Sequence, residues 1–171
     1  DSCIGSKTSI NFGPFKNQIG GFHPPVLILN DLTLLNTLPR DEFRSGLGEM
    51  FHYFLLTGRA DFERVSREYD AAFTDRSALR SLIRRSLEIK KAMIERDEFD
   101  EGPRNVFNYG HSFGHALESY TDYAIPHGIA ICFGMDIANQ VSAALGLVSP
   151  AEAAEMRVLL ERNWRPTVPG P

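Results

Sequence analysis

The sequence predicts a mainly α fold, a helical bundle behind a short strand-and-loop N-terminal segment, on three observations. From Phe43 onward, apolar residues recur at the three-and-four spacing that one face of a helix requires. Helix starts and stops punctuate that pattern: Pro39 with Asp41 and Glu42, Gly58, Thr74-Asp75, and Ser149-Pro150 with Glu152. Residues 1–38 instead mix Gly, Pro and Asn with short apolar runs such as Pro25-Val26-Leu27-Ile28-Leu29, which suits loops and one or two short strands.

Taken in order, a first helix begins after Pro39, carries Phe43, Leu47, Met50, Phe51, Phe54 and Leu55 inward, and stops at Gly58. Thr74 or Asp75 caps a long second helix ending near Asp97. A third is predicted over Arg104 to Tyr120, a buried fourth over Gly128 to Leu145, and a last one from Ser149 to about Asn163. Together they make one helical domain over 39–171, long enough to bury a sizeable core, with no internal repeat or low-complexity stretch.

Charge narrows the partners. The 22 acidic and 18 basic residues are spread along the chain, so no basic patch argues for nucleic acid or an anionic membrane. No apolar run approaches the roughly 20 residues of a membrane span, and no leader sequence opens the chain. Cys3 and Cys132 form no disulfide framework, which points to a reduced compartment and hence the cytoplasm. The chain opens on Asp1 rather than Met and closes on a Pro-rich stretch, so a fragment of a longer protein is expected.

Polar residues in apolar settings mark the candidate site. Arg104, Asn108, His111, His115 and Glu118 recur at spacings of 4, 3, 4 and 3, one face of the predicted third helix. Imidazoles four residues apart can reach one ion, or an ion and its substrate, and Ser112 rules out the HExxH protease pattern. Gly110 and Gly114 each cost about 1 kcal/mol inside a helix, so another backbone or a ligand is expected to pass close by. Lys90 falls near the middle of the second helix's apolar face, among Leu79, Leu82, Ile83, Leu87, Ile89, Met93 and Ile94. Two readings fit it, a stem that carries its ammonium out to water or a functional cation held inside. Glu49 lies among apolar residues, and a buried carboxylate needs a partner or a metal. His127 opens the fourth helix after Pro126. Glu49, His111 and His127 would make a one-carboxylate, two-imidazole set of the kind that leaves a position open on zinc.

These same blocks resemble the dehydroquinate synthases and their sugar phosphate cyclase relatives. Asp1-Ser2-Cys3-Ile4-Gly5-Ser6-Lys7-Thr8 resembles DSSVGGKT, Lys16-Asn17-Gln18-Ile19-Gly20 resembles KNLIG, and Thr37-Leu38-Pro39 through Gly48-Glu49 resembles TLP…GLAE. Lys90, Asp97-Glu98, Arg104 and the run from Asn108 to Glu118 resemble K…DE…R…NxGHxxGHAxE, followed by Pro126-His127-Gly128. The resemblance implies the C-terminal helical domain of that fold, with 1–38 as an interdomain segment and the N-terminal NAD-binding domain absent from this chain. It implies that Glu49, His111 and His127 bind a divalent metal, zinc or possibly cobalt. It further implies that Lys90, Arg104, Asn108 and His115 serve catalysis, that Asp1, Lys7, Lys16 and Asn17 bind substrate, and that Thr37 lies near NAD.

The implied activity is 3-dehydroquinate synthase-like: oxidation by NAD, phosphate elimination, return of the hydride, and aldol ring closure of a heptulose 7-phosphate. A sedoheptulose 7-phosphate cyclase or a 2-deoxy-scyllo-inosose synthase is the alternative within the family, and a homodimer is implied for the full-length protein. His52, Asp100 and Ile129 stand where dehydroquinate synthases usually carry Lys, Glu and Glu, and these departures touch substrate recognition more than metal binding. An iron-type alcohol dehydrogenase would need an Asp and three His, and a helical interaction module without chemistry would not need so many inward polar groups. The piece alone is expected to bind metal but turn over no substrate.

Overall fold

The computed structural model describes residues 4–13 and 15–168, with the side chains of all of these but residues 11, 16 and 17. An antiparallel hairpin comes first, β1 (Lys7–Phe12) against β2 (Phe15–Phe22), in a register pairing Lys7 with Phe22 and Ser9 with Gly20. Gly13 turns the chain at φ +57°, a backbone that L side chains rarely adopt. The apolar run 25–29, expected as a strand, is irregular and largely exposed. Pro24 and Pro25 lack ladder donors, and among the described residues no strand lies beside the run to pair with it. A 3-10 turn, Leu32–Thr37, follows, its start capped by the Asp31 carboxylate accepting from Thr33 N at 2.9 Å.

The helices form where the sequence places them, with two differences. α1 (Arg40–Leu56) starts after Pro39, and its second half is apolar on almost every side, burying Met50, Phe51, Tyr53 and Phe54. A helix buried all round belongs at the centre of a bundle. α2 (Arg59–Glu68) was not expected; only Phe62 and Val65 carry its apolar face, too few to read as a period. Its Asp61 accepts from Nε and Nη2 of Arg85 at 2.9 and 2.6 Å on α3 (Arg76–Arg96), capped by Asp75.

The second difference lies in the predicted third helix. Residues Pro103–Asn108 form a 3-10 turn, Tyr109 (φ −55°, ψ 126°) leaves helical geometry in a turn, and Gly110 turns left-handed at φ +78° before α4 (His111–Tyr120) begins. The expected face is therefore split, with Arg104 and Asn108 on the turn and His111, His115 and Glu118 on the helix. α5 (His127–Ala144) buries Ile129, Ala130, Ile131, Cys132 and Met135. α6 (Pro150–Trp164) opens on a reciprocal capping box, Glu152 N donating to Ser149 Oγ at 3.1 Å and Ser149 N to Glu152 Oε2 at 3.0 Å. The core fills the space between α1 and α5, closed by Leu79 and Leu82 from α3 and Leu159 and Leu160 from α6.

Candidate metal centre

Two glycine contacts assemble the centre. A Cβ on Gly128 would sit 1.9 Å from the Ser45 carbonyl oxygen, and one on Gly48 would sit 2.2 Å from the Gly128 oxygen. Backbones of α1 and α5 thus touch where only glycine fits, beside Glu49 and His127. On the other side of α5, a Cβ on Gly134 would sit 2.1 Å from the Gly110 oxygen, and this contact holds the start of α4, and so His111, against α5. The expectation that a backbone passes Gly110 and Gly114 is met by α5, although Gly110 is a cap rather than a helix interior.

The side chains converge accordingly. Glu49 Oε2 lies 3.5 Å from His127 Nε2 and 4.0 Å from His111 Nε2. His111 Nδ1 lies 3.2 Å from the Tyr109 carbonyl oxygen, and His127 Nδ1 lies 3.1 Å from Oε1 of the buried Glu118. Each Nδ1 therefore donates, and each Nε2 is left facing Glu49. Glu49 Oε2 is itself buried without a hydrogen-bond partner. Ligand atoms on one tetrahedral zinc stand about 3.4 Å apart, so the two Glu49–imidazole separations suit a shared cation, which would also satisfy the orphaned carboxylate oxygen. A second grouping also exists: His111, His115 and His127 bring one nitrogen each within 4.8 Å of one another.

Electrostatics suit a cation. Burial alone would push the Glu49 carboxyl up, but His127, His52 and His111 around it more than offset this and bring it down to about 2. Burial pushes His111 down and His52 down to about 4, while the neighbouring Glu49 pushes His127 up.

Beside this centre lies a polar cavity of about 150 Å³ lined by Lys7, Glu49, His52, Tyr53, Lys90, Asp100, Arg104, Phe107 and Asn108. Four expected substrate or catalytic residues thus meet at Glu49. Lys90 is buried and lies inward, its ammonium 5.9 Å from the Tyr53 ring centre. Lys7 pairs with Asp100 at 2.9 Å. Arg104 is held by the loop that Asp97 opens: Asp97 accepts from the backbone N–H groups of Glu101, Gly102 and Arg104 at 2.8, 3.1 and 2.9 Å. Tyr53 and Phe107, which wall the cavity, carried no signal beyond ordinary core aromatics. Asp1 lies outside the described residues, as do the side chains of Lys16 and Asn17. Thr37 is exposed at the end of its turn; its neighbours Leu35 and Leu38 line an apolar cavity of about 400 Å³ that Glu49 also borders. Among the described residues, no helix is long and apolar enough to cross a membrane.

Residues 46–169 match the family model for the 3-dehydroquinate synthase C-terminal region. The chain belongs to the 3-dehydroquinate synthase family. Residues 1–45 match the family's N-terminal model, and the junction of the two falls within α1. A 3-dehydroquinate synthase of Pseudarthrobacter chlorophenolicus is 38% identical over 162 residues, 94% of this chain and 45% of that protein. One from Paracoccus denitrificans is 40% identical over 151 residues, 87% of this chain and 41% of that protein. The chain thus spans about half the length of the curated relatives it matches. Among solved structures, ValA, the 2-epi-5-epi-valiolone synthase of Streptomyces hygroscopicus subsp. jinggangensis with NAD+ and Zn2+ bound, superposes with a TM-score of 0.83. It is 27% identical, over 100% of this chain and 48% of its own. A 2-deoxy-scyllo-inosose synthase, 24% identical over 99% of this chain and 48% of its own, shares the family fold at a TM-score of 0.84.

Proposed function

We propose that this chain is the metal- and substrate-binding half of a sugar phosphate cyclase of the 3-dehydroquinate synthase type. The reaction is a carbon–oxygen lyase step followed by aldol cyclisation of a heptulose 7-phosphate. The observation that carries this reading is the buried, unpartnered Glu49 Oε2 faced by the Nε2 atoms of His111 and His127. In it Glu49, His111 and His127 hold zinc or cobalt, as the zinc and cobalt of the related structures support. A metal there polarises a substrate hydroxyl, and NAD accepts and returns the hydride.

The chain's own residues do the rest. Lys7, Lys90 and Arg104 line the polar cavity and supply charged donors for a phosphate, and Asn108 can both donate and accept toward hydroxyls. His115, whose ring lies 5.4 Å from that of His111 at the metal centre, is assigned to catalysis on the family pattern. Asp1, Lys16 and Asn17 are retained as substrate residues on the family pattern. Thr37, beside the apolar cavity that shares Glu49 with the polar one, is assigned to NAD, most of whose contacts fall to the rest of the enzyme. On this reading 39–171 is the functional helical unit, 1–38 the interdomain segment, and the full-length protein a cytoplasmic homodimer.

One observation favours a second substrate. His52, buried and held neutral, stands in the cavity wall where the family usually carries a lysine, so the wall lacks one cation for an acidic sugar. Sedoheptulose 7-phosphate, which has no carboxylate, is therefore assayed beside 3-deoxy-arabino-heptulosonate 7-phosphate. Metal analysis tests the core proposal: the purified chain retains one zinc or cobalt, and His111→Ala loses it. A wild-type chain that takes up neither metal would overturn it.

A further inference from the structure

We propose that Glu118 is a positioning residue that sorts the three clustered histidines, committing His127 to the metal and keeping His115 off it. The inference rests on the metal reading above, but its geometry stands on the metal-free chain.

Three imidazoles, His111, His115 and His127, lie close enough together to chelate one ion by themselves. Nothing in ligand chemistry prefers Glu49 to His115 as the third donor, since zinc takes nitrogen and carboxylate oxygen alike. Something else must decide. Glu118, two turns from His111 on α4, places its buried carboxylate beside the other two rings: Oε1 is 3.1 Å from His127 Nδ1, and Oε2 is 3.9 Å from His115 Nε2.

Each contact has a consequence. A carboxylate accepts and does not donate, so His127 must carry its proton on Nδ1 and present Nε2, the nitrogen that faces Glu49. His115 is engaged more loosely: its Nε2 lies 3.9 Å from Glu118 Oε2, within reach of the charge but beyond hydrogen-bond distance. The His115 and His127 rings are stacked, 5.7 Å apart and 29° from parallel, with Glu118 at their edges, whereas His111 and His115 stand at 90°. His115 and His127 are about equally open, their side chains 43% and 41% exposed, so the Glu118 contacts rather than accessibility sort them.

The sequence logic is consistent with this. Glu118 is three residues after His115 and one helical turn along, so the same face of α4 that offers the histidines also supplies the group that assigns them. A carboxylate is costly to bury, and the 3.1 Å contact with His127 helps to compensate it.

The test uses the 171-residue chain with nitrogen-labelled histidine. In metal-free wild type at alkaline pH, nitrogen chemical shifts show His127 in the Nδ1–H form. Glu118→Gln, nearly isosteric, mixes the tautomers and weakens zinc by about 10–100-fold in competition with a chromophoric chelator. In cobalt-loaded wild type, His115→Ala leaves the visible spectrum unchanged, because His115 is not a ligand; in the Glu118→Gln background the same change alters it. Should Glu118→Gln fail to fold by circular dichroism, the wild-type tautomer and the His115→Ala spectrum still decide. The proposal is overturned by a His127 Nε2–H tautomer in wild type, by unchanged zinc affinity in folded Glu118→Gln, or by a cobalt spectrum that His115→Ala changes in wild type. A wild-type chain with the Nδ1–H tautomer but no zinc affinity would instead sink the metal reading and leave the positioning intact.

Discussion

Lys90 shows a cation held inside against the preference of the fold. Its ammonium is buried on the apolar face of α3 beside Tyr53, in the cavity that Arg104 and Lys7 also line. Burying a charge costs more than burying a methionine of similar length, and exchanging buried ionic groups for apolar ones is commonly neutral or stabilising. Lys90→Met is therefore expected to leave the chain as stable as wild type, or about 1 kcal/mol more so. The same variant should lose most of the thermal stabilisation that added phosphate gives wild type. Melting curves with and without phosphate check both halves; a variant destabilised by several kcal/mol would make Lys90 a structural residue. The inward lysine was legible because a cation on an apolar stripe breaks the helix period. Tyr53 and Phe107 were not, since an aromatic lining a cavity and an aromatic filling a core look alike in sequence.

At the scale of elements, glycine separates packing from propensity within one helix. Gly46 and Gly48 both lie in α1, yet a Cβ at Gly46 meets nothing within 4 Å while one at Gly48 meets the Gly128 oxygen at 2.2 Å. Gly46→Ala should gain about 0.5–1 kcal/mol from helix propensity alone. Gly48→Ala should lose about 3 kcal/mol by forcing α1 from α5, and zinc affinity should fall with it because Glu49 and His127 ride on those two helices. Chemical denaturation of the pair is decisive, and equal effects would refute the contact.

The loop from Asp97 to Arg104 gives a pH signature at the same scale. Backbone N–H donors, Arg104 foremost, hold the Asp97 carboxyl below its ordinary value. A carboxyl with a lowered folded-state value contributes stability above the ordinary carboxylate range and loses it as pH falls through the lowered value. Melting temperatures of wild type and Asp97→Asn should differ at neutral pH and converge in acid. Helix ends were read correctly where a side chain makes the cap, as at Asp75 and Ser149. The break before His111 was missed because its cause is the Gly134 backbone pressed on Gly110, a contact between distant segments.

Across the whole molecule, apolar surface is unevenly shared. The helices from α1 to α6 close over one core, whereas Ile10, Phe12, Phe15, Val26, Leu27 and Leu29 in the first thirty residues stand exposed. The helical class and the order of its elements were readable because periodicity and caps are local; the convergence of Glu49, His111 and His127 was readable only through the resemblance, since sequence distance carries no geometry. That centre sits between two cavities, the polar one with its cations and the apolar one beside Thr37. On the proposed function, phosphate elimination requires prior oxidation of the sugar, so binding of metal and phosphate without NAD held in place stops before the first bond breaks. The 171-residue chain spans about half of its relatives. Supplied with zinc, NAD and either heptulose phosphate, it is expected to take up the metal and release no phosphate above background. Phosphate release by the isolated chain that His111→Ala abolishes would show that these helices suffice for turnover, and would move the NAD site onto the surface that Thr37 borders.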